Sequence, residues 1–105
     1  MIFAAGLGTR LKPLTNEKPK ALVTVNGTSL LEITIQKLIK HGFDDIIINI
    51  HHFGNLITDF LKSKNNFNIS IAISDESNLL LDTGGGLKKA AWFFNDNKPF
   101  LVHNV

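Results

Sequence analysis

The sequence predicts an α/β fold, a mostly parallel sheet with flanking helices. Short apolar runs alternate with segments whose apolar residues recur at helical spacing, in the order strand, helix, strand, helix, strand, helix, strand. The run Ile46–Ile50 is β-branched and almost continuously apolar, which is typical of a strand buried on both faces. This alternation indicates parallel strands joined by right-handed helical crossovers.

The N-terminal part of the chain contains two predicted extended pieces. Ile2–Ala5 is a short apolar run stopped by Gly6, and we expect a buried strand there. Ala21–Val25 is a second extended piece, and the pair Asn26-Gly27 that follows is typical of a tight turn.

A capping box marks the start of the first helix. Ser29 stands three positions before Glu32, so each can satisfy a backbone N–H at the helix N-terminus. Gly42 is the expected C-terminal stop. The apolar face of this helix comprises Leu31, Ile35, Leu38 and Ile39.

Further strands and helices follow in alternation. After the strand at Ile46–Ile50, alternating isoleucines predict another strand at Ile69–Ile73, and Phe100–Val102 opens a last one. The two remaining helical faces comprise Leu56, Ile57, Phe60 and Leu61, and then Leu87, Ala90, Ala91 and Phe94. Ligands of such sheets bind at the carboxyl ends of the strands.

Composition limits the classes of function. The chain has 105 residues, which is one domain at most, and its 44% hydrophobic and 19% charged residues argue against disorder. A net charge of +2 is too small to indicate a nucleic-acid partner. The sequence has no cysteine, which excludes disulfides and thiolate metal sites and favours a cytoplasmic location. No signal peptide or apolar span is evident, so we expect no membrane partner.

A glycine loop follows the first predicted strand. Gly6 and Gly8 match the start of a dinucleotide fingerprint, but Leu11 occupies the third glycine position, and no Gly-Lys-Ser/Thr closes a Walker A loop. Arg10 and Lys20 follow instead. Backbone N–H groups can hold one phosphate, the arginine can clamp oxygens in a bidentate manner, and the lysine can neutralise a neighbouring phosphoryl group. This set of groups suits a nucleoside triphosphate better than a redox dinucleotide.

Three motifs resemble the sugar-1-phosphate nucleotidyltransferases. They are Ala4-Ala5-Gly6-Leu7-Gly8-Thr9-Arg10, then Lys18-Pro19-Lys20, then Leu81-Asp82-Thr83-Gly84-Gly85-Gly86. Within that family the chain is most similar to N-acetylmuramate-1-phosphate uridylyltransferases and mannose-1-phosphate guanylyltransferase-like proteins. The resemblance implies a Rossmann-like fold and transfer of a nucleotidyl group from UTP or GTP to a sugar 1-phosphate, with Mg²⁺, yielding an NDP-sugar and pyrophosphate.

The resemblance also implies roles for individual residues. Arg10 and Lys20 are the candidate catalytic residues, and Asn104 is the candidate contact to the sugar phosphate. The candidate nucleotide-binding residues are Ala5, Gly6, Gly8, Thr9, Asp82, Thr83 and Gly84. The chemistry fits this set, because the attacking sugar phosphate is already an oxyanion and needs no general base. The glycines after Asp82 let a base or sugar lie against the backbone, although Asp82 could equally be a helix cap.

The resemblance further implies that residues 1–105 are the nucleotide-binding half of such a domain. In the family an aspartate that binds Mg²⁺ follows the strand resembling Phe100–Val105, so we assign no metal ligand here and expect no turnover by this chain alone. We also expect self-association, because a sheet cut off there leaves an open edge. A non-catalytic nucleotide-binding or assembly module stays open as the alternative, whereas an oxidoreductase would need the missing third glycine.

Other polar pairs are weaker candidates. His51-His52 adjoins the end of a strand, where neighbouring side chains point to opposite faces and chelate poorly. Asp75-Glu76 could approach a metal, but we expect this loop carboxylate pair to be solvated.

Overall fold

A four-stranded parallel sheet forms the centre of the protein. The structure, a computed structural model, describes residues 1–78, 81, 83–94 and 100–105, with Thr83 described by its backbone. The helices and strands of this part are β1 Ile2–Phe3, β2 Thr24–Val25, β3 Thr28–Ser29, α1 Leu30–Lys40, β4 Asp45–Ile50, α2 Gly54–Ser63, β5 Ser70–Asp75, α3 Thr83–Lys89 and β6 His103–Asn104. The sheet order is β5-β4-β1-β6 with every neighbouring pair parallel, which confirms the predicted fold class.

Helices cover both faces of this sheet. Because successive strand residues point to opposite faces, β4 contributes to two separate cores. The larger core, on the face of α1 and α2, includes Ile2, Leu31, Ile35, Ile46, Ile48, Ile50, Ile57 and Leu61. The smaller core, on the face of α3, is built from Met1, Ile47 and Ala90, with Phe3, Ala72, Leu87, Phe93 and Phe94 packed against it.

The ends of α1 follow the predicted signals. The Ser29 side chain accepts a hydrogen bond from the Glu32 backbone N–H at 3.1 Å. Gly42 has a φ of +90°, and the N–H of Phe43 donates to the carbonyl of Leu38 at 3.0 Å. This is the hydrogen-bond pattern of a Schellman motif, which explains why a glycine ends the helix.

The second extended piece is shorter than predicted. A 3₁₀ turn at Lys20–Leu22 replaces its first residues, and only Thr24–Val25 pairs as β2 with β3. The predicted tight turn is confirmed, because Asn26 and Gly27 have φ values of +52° and +83°. Positive φ at both central residues is the requirement of a type I′ hairpin turn.

The C-terminal elements also differ from the prediction. Helix α3 starts earlier than expected and includes Gly84–Gly86, but it ends at Lys89, and Ala91–Phe94 forms a separate 3₁₀ turn. Strand β6 begins at His103 rather than Phe100, whose ring stacks on Phe94 with centroids 4.0 Å apart. Phe100 thus packs on the 3₁₀ turn Ala91–Phe94, and pairing with β1 starts three residues later. None of the helices described is long and apolar enough to span a bilayer.

Candidate functional site

A cavity of about 530 Å³ opens at the carboxyl ends of β1 and β6. Strand β1 pairs with β4 on one side and with β6 on the other. The order of strands along the chain therefore changes direction at β1, next to this cavity. Such switch points are where open α/β sheets bind ligands. The residues that line the cavity are Phe3, Ala4, Ala5, Gly6, Lys20, Ala21, Asn49, Leu81, Asn104 and Val105.

Tight packing holds the glycine loop in place. Gly8 has a φ of +67°, and a Cβ added there would lie 2.8 Å from Cγ2 of Thr15. The Thr15 hydroxyl, in a side chain only 1% exposed, donates to the Gly8 carbonyl at 2.6 Å. Gly8 therefore meets two requirements of glycine, a left-handed backbone and a close approach. Gly6 has open space where a Cβ would be, so it is needed for neither reason.

The same packing brings a cation to the cavity. The Lys20 Cβ is 3.3 Å from the position a Cβ would take on Gly8, and the Lys20 side chain lines the cavity. Within the described residues, the backbone N–H groups of Gly6, Leu7 and Gly8 donate no hydrogen bond. A lysine and free amide donors on one loop can together bind an anion.

The structure brings together four of the residues named from the sequence. Ala5, Gly6, Lys20 and Asn104 all line the cavity, with Asn104 on β6 paired opposite Phe3. The other loop candidates, Gly8, Thr9 and Arg10, lie outside its lining. Arg10 is exposed in the 3₁₀ turn Thr9–Leu11 and makes no ion pair or hydrogen bond with side chains of the described residues.

The structure describes the candidates around the start of α3, which are Asp82, Thr83 and Gly84, less completely. Asp82 lies outside the described residues, and Thr83 is the first residue of α3. Gly84 is exposed in the first turn of α3 and does not line the cavity, whereas Leu81, just before this helix, does.

Two buried polar side chains that the sequence analysis missed lie beside the cavity. Asn49 on β4 is 2% exposed, and Glu76, just after β5, is 0% exposed. The Asn49 Oδ1 accepts from the Ala4 backbone N–H at 2.6 Å, and its Nδ2 donates to Glu76 Oε2 at 3.0 Å. Glu76 Oε1 accepts from the Leu81 backbone N–H at 3.2 Å. The expectation that Glu76 is solvated was wrong, because its side chain is fully buried and its carboxylate accepts hydrogen bonds from Asn49 and Leu81.

Helix α3 covers this buried pair closely. A Cβ on Gly86 would lie 3.0 Å from Glu76 Oε2 and 3.1 Å from Asn49 Nδ2. The Glu76 backbone carbonyl lies 2.5 Å from Nδ1 of His51, so one ring nitrogen of this histidine is engaged by the backbone. A glycine-rich helix start therefore permits the backbone to approach a buried carboxylate.

Asp75, the neighbour of Glu76, behaves as expected for a surface carboxylate. The hydroxyl of Ser77 and its backbone N–H both donate to Asp75 Oδ1, the latter at 2.7 Å. These hydrogen bonds, the side-chain one first, hold the pKa of Asp75 below its usual value. Asp75 is thus engaged locally and does not face the cavity.

The described residues do not fit a magnesium site. They contain no group of three or more histidine, aspartate or glutamate side chains able to hold a metal ion. The described lining of the cavity has no carboxylate, and both oxygens of Glu76 already accept hydrogen bonds.

Comparisons with known proteins agree with the fold and the motifs. The model of the family Nucleotidyl transferase matches residues 1–104. The chain is 38% identical over 107 residues to N-acetylmuramate alpha-1-phosphate uridylyltransferase of Caulobacter vibrioides, covering 100% of this chain and 44% of that enzyme. It is 32% identical over 105 residues to mannose-1-phosphate guanylyltransferase catalytic subunit beta of Dictyostelium discoideum, covering 99% and 29%.

A solved structure gives the same result. The crystal structure of HddC from Yersinia pseudotuberculosis complexed with GMP-PN matches with a TM-score of 0.84 at 32% identity, over 98% of this chain and 45% of HddC. The chain spans less than half the length of these relatives. Motifs, fold and a family match over almost every residue lead to one conclusion: the chain belongs to the nucleotidyl transferase family.

Proposed function

We propose that the protein transfers a nucleotidyl group from UTP or GTP to a sugar 1-phosphate, which yields an NDP-sugar and pyrophosphate. The observation that carries this proposal is the cavity at the switch point, where Lys20 and the backbone of Ala4–Gly6 face the same space. The relatives named for uridylyl and guanylyl transfer to sugar 1-phosphates support the reaction class. The ratio of the affinities for UTP and GTP would identify the preferred base.

The transfer needs charge neutralisation more than proton transfer. An oxygen of the sugar phosphate attacks the α-phosphorus, a new P–O bond forms, and the bond to the bridging oxygen of the β-phosphate breaks. The nucleophile is already anionic, so no base is required. Lys20, on the cavity wall, would stabilise negative charge at the α-phosphate, and the free amides of the loop would bind phosphate oxygens. We propose Mg²⁺ as the cofactor because the family resemblance implies it.

The remaining site residues receive proposed roles by position. Arg10 is exposed and lies outside the cavity lining, so we assign it to the outer phosphates, together with Gly8 and Thr9. Asn104 would contact the sugar phosphate, and Ala5 would line the nucleotide. The residues assigned to the base and its sugar are Asp82, Thr83 and Gly84.

Ligand titration with single-residue variants tests these assignments. We expect UTP or GTP to bind more tightly than NAD. Replacing Lys20 with alanine should weaken both UMP and UTP about tenfold or more, because a charge contact to phosphate contributes on the order of 1.5–3 kcal/mol. Arg10→Ala should weaken UTP but leave UMP unchanged, because UMP lacks the outer phosphates. Lys18→Ala is the matched control, since Lys18 is exposed and outside the cavity lining.

The outcomes separate the competing functions. Equal binding of NAD and UTP, or equal effects of Lys18→Ala and Lys20→Ala, would contradict the proposed site. Nucleotide binding with no pyrophosphate release from any sugar 1-phosphate would favour the non-catalytic nucleotide-binding module instead. We also propose that the reaction takes place in the cytoplasm and that the protein self-associates.

A further inference from the structure

We propose that Asn49 and Glu76 are positioning residues that hold two segments of the nucleotide cavity at a fixed separation. This inference rests on the proposed function, since it concerns how the same cavity binds its nucleotide. One segment begins the glycine loop at Ala4, and the other enters α3 at Leu81, and both line the cavity. The two buried side chains connect them in a single chain of hydrogen bonds.

The identity of each polar atom follows from the two ends of that chain. Both ends are backbone N–H donors, Ala4 at 2.6 Å and Leu81 at 3.2 Å, so the outer side-chain atoms must be acceptors. The link in the middle then needs one donor and one acceptor, which Asn49 Nδ2 and Glu76 Oε2 provide at 3.0 Å. An amide paired with a carboxylate gives each of the four side-chain atoms (Oδ1 and Nδ2 of Asn49, Oε1 and Oε2 of Glu76) a suitable partner. Two amides would place a donor against a donor, and two carboxylates would place an acceptor against an acceptor.

Burial makes this pairing obligatory. Asn49 and Glu76 are 2% and 0% exposed, so water cannot replace a lost partner at low cost. Gly86 of α3 packs against the hydrogen bond between Asn49 and Glu76. A Cβ added to Gly86 would lie only 3.0 Å from Glu76 Oε2 and 3.1 Å from Asn49 Nδ2. The helix is therefore seated directly on the pair, and its position depends on the pair's geometry.

The consequence for binding is preorganisation. A nucleotide with phosphates on the glycine loop and base toward α3 must contact both segments at once. Fixing their separation before the ligand arrives removes an ordering cost from binding. Loosening the pair should therefore weaken whole nucleotides strongly and weaken inorganic pyrophosphate, which occupies the loop side alone, much less.

Reversal of the pair gives a sharp test. Glu76→Gln places an amide nitrogen against Leu81 N–H or against Asn49 Nδ2, and N49D places a carboxylate oxygen against Glu76 Oε2. The double variant N49D/E76Q restores every link, since the new carboxylate accepts from Ala4 and from the new amide, whose oxygen accepts from Leu81. Asn55→Asp, at an exposed position of α2, controls for the added charge.

We expect each single variant to raise the dissociation constant for UTP by about tenfold or more, the size expected for one broken buried hydrogen bond. The double variant should return to within about threefold of the original protein, and Asn55→Asp should not change it. Pyrophosphate affinity should change by less than about threefold throughout. Thermal melts followed by circular dichroism identify a temperature at which all variants are folded. Hydrogen exchange at the backbone N–H groups of Ala4 and Leu81 measures their hydrogen bonds to Asn49 and Glu76 without any ligand.

Three results would overturn the inference. They are a double variant no better than the singles, single variants that keep full UTP affinity, and equal loss of pyrophosphate and UTP. If the unmodified protein binds no nucleotide at all, the proposed function is wrong, and amide exchange then decides the linkage by itself. Rapid exchange at both amides in the unmodified protein, or unchanged exchange in both single variants, would exclude the link.

Discussion

A methyl group added at Gly8 tests how closely the glycine loop is packed. Two costs follow from the structure. Alanine in the left-handed region, at the Gly8 φ of +67°, is less stable than glycine by about 1–2 kcal/mol. Its Cβ would also lie 2.8 Å from Thr15 Cγ2, far inside ordinary contact, and overpacking of this kind costs about 1–3 kcal/mol.

These costs, less the offset given next, predict a net loss of about 1–4.5 kcal/mol in the free energy of unfolding for Gly8→Ala. The loss includes a small offset, about 0.4–1 kcal/mol, because alanine restricts the unfolded chain. Denaturant unfolding followed by far-ultraviolet circular dichroism measures the change. Gly6→Ala is the matched control, and we expect it to be neutral or slightly stabilising, since nothing lies within 4 Å of a Cβ there.

A double-mutant cycle with Thr15→Ser isolates the steric part. Serine keeps the hydroxyl that donates to the Gly8 carbonyl and removes the methyl group that the new Cβ would hit. Alone, Thr15→Ser should cost about 1 kcal/mol for one buried methyl group. In the Gly8→Ala background it should cost nothing or restore stability. Additive losses, or a Gly8→Ala variant as stable as the original, would refute the packing argument.

Three further predictions concern other parts of the molecule. Ser29→Ala removes the side-chain cap of α1 and should lower the unfolding free energy by about 1 kcal/mol, with Ser29→Asp retaining the cap. Hydrogen bonds from Ser77 lower the folded-state pKa of Asp75. The Asp75 carboxylate therefore stabilises the fold above its unfolded-state pKa, and this stabilisation is lost as the pH falls through the folded-state pKa. A difference in melting temperature between the protein and Asp75→Asn that persists at the lowest pH would contradict this. The edge strand β6 and the exposed Leu101 and Val102 should promote self-association, which sedimentation across a concentration series would detect and Leu101→Lys should weaken.

Local signals allowed much of the fold to be predicted from the sequence. The Ser29 cap, the turn at Asn26-Gly27 and the stop at Gly42 each depend on a few neighbouring residues, and all three are confirmed. Of the predicted capping box, the described hydrogen bonds include only the half made by Ser29, and the Glu32 carboxylate lies 3.6 Å from Lys64 Nζ instead. The prediction of a parallel sheet rests on the alternation of strands and helices, and it does not require their exact first and last residues. Boundaries that depend on tertiary packing were less predictable, as at β6, where Phe100 stacks on Phe94 and pairing with β1 begins only at His103.

The buried pair shows what periodicity cannot indicate. Glu76 follows a strand by one residue, and local pattern alone places such a carboxylate in solvent as easily as in the core. A signal did exist, since Asn49 interrupts a run of isoleucines in a strand that is buried from Ile46 to Ile50 and so required a polar partner. Gly86 was a second signal, because a glycine inside a helix often permits close approach. The sequence does not identify Glu76 as the partner of Asn49, because only the folded sheet brings β4 and the end of β5 side by side.

The pairing of β1 with β6 has a consequence for the order of folding. Ile2 pairs with His103, about 100 positions away along the chain, whereas the partners in β4 and β5 are only about 25 positions apart. Loop-closure entropy makes the longer connection less favourable by about 1 kcal/mol, and β6 contributes only two paired residues. Contacts of low sequence separation should therefore form before the transition state, and the β1–β6 contact after it. In stopped-flow folding experiments, substitutions in the β4–β5 pair should therefore slow refolding, whereas substitutions in β6 should mainly speed unfolding.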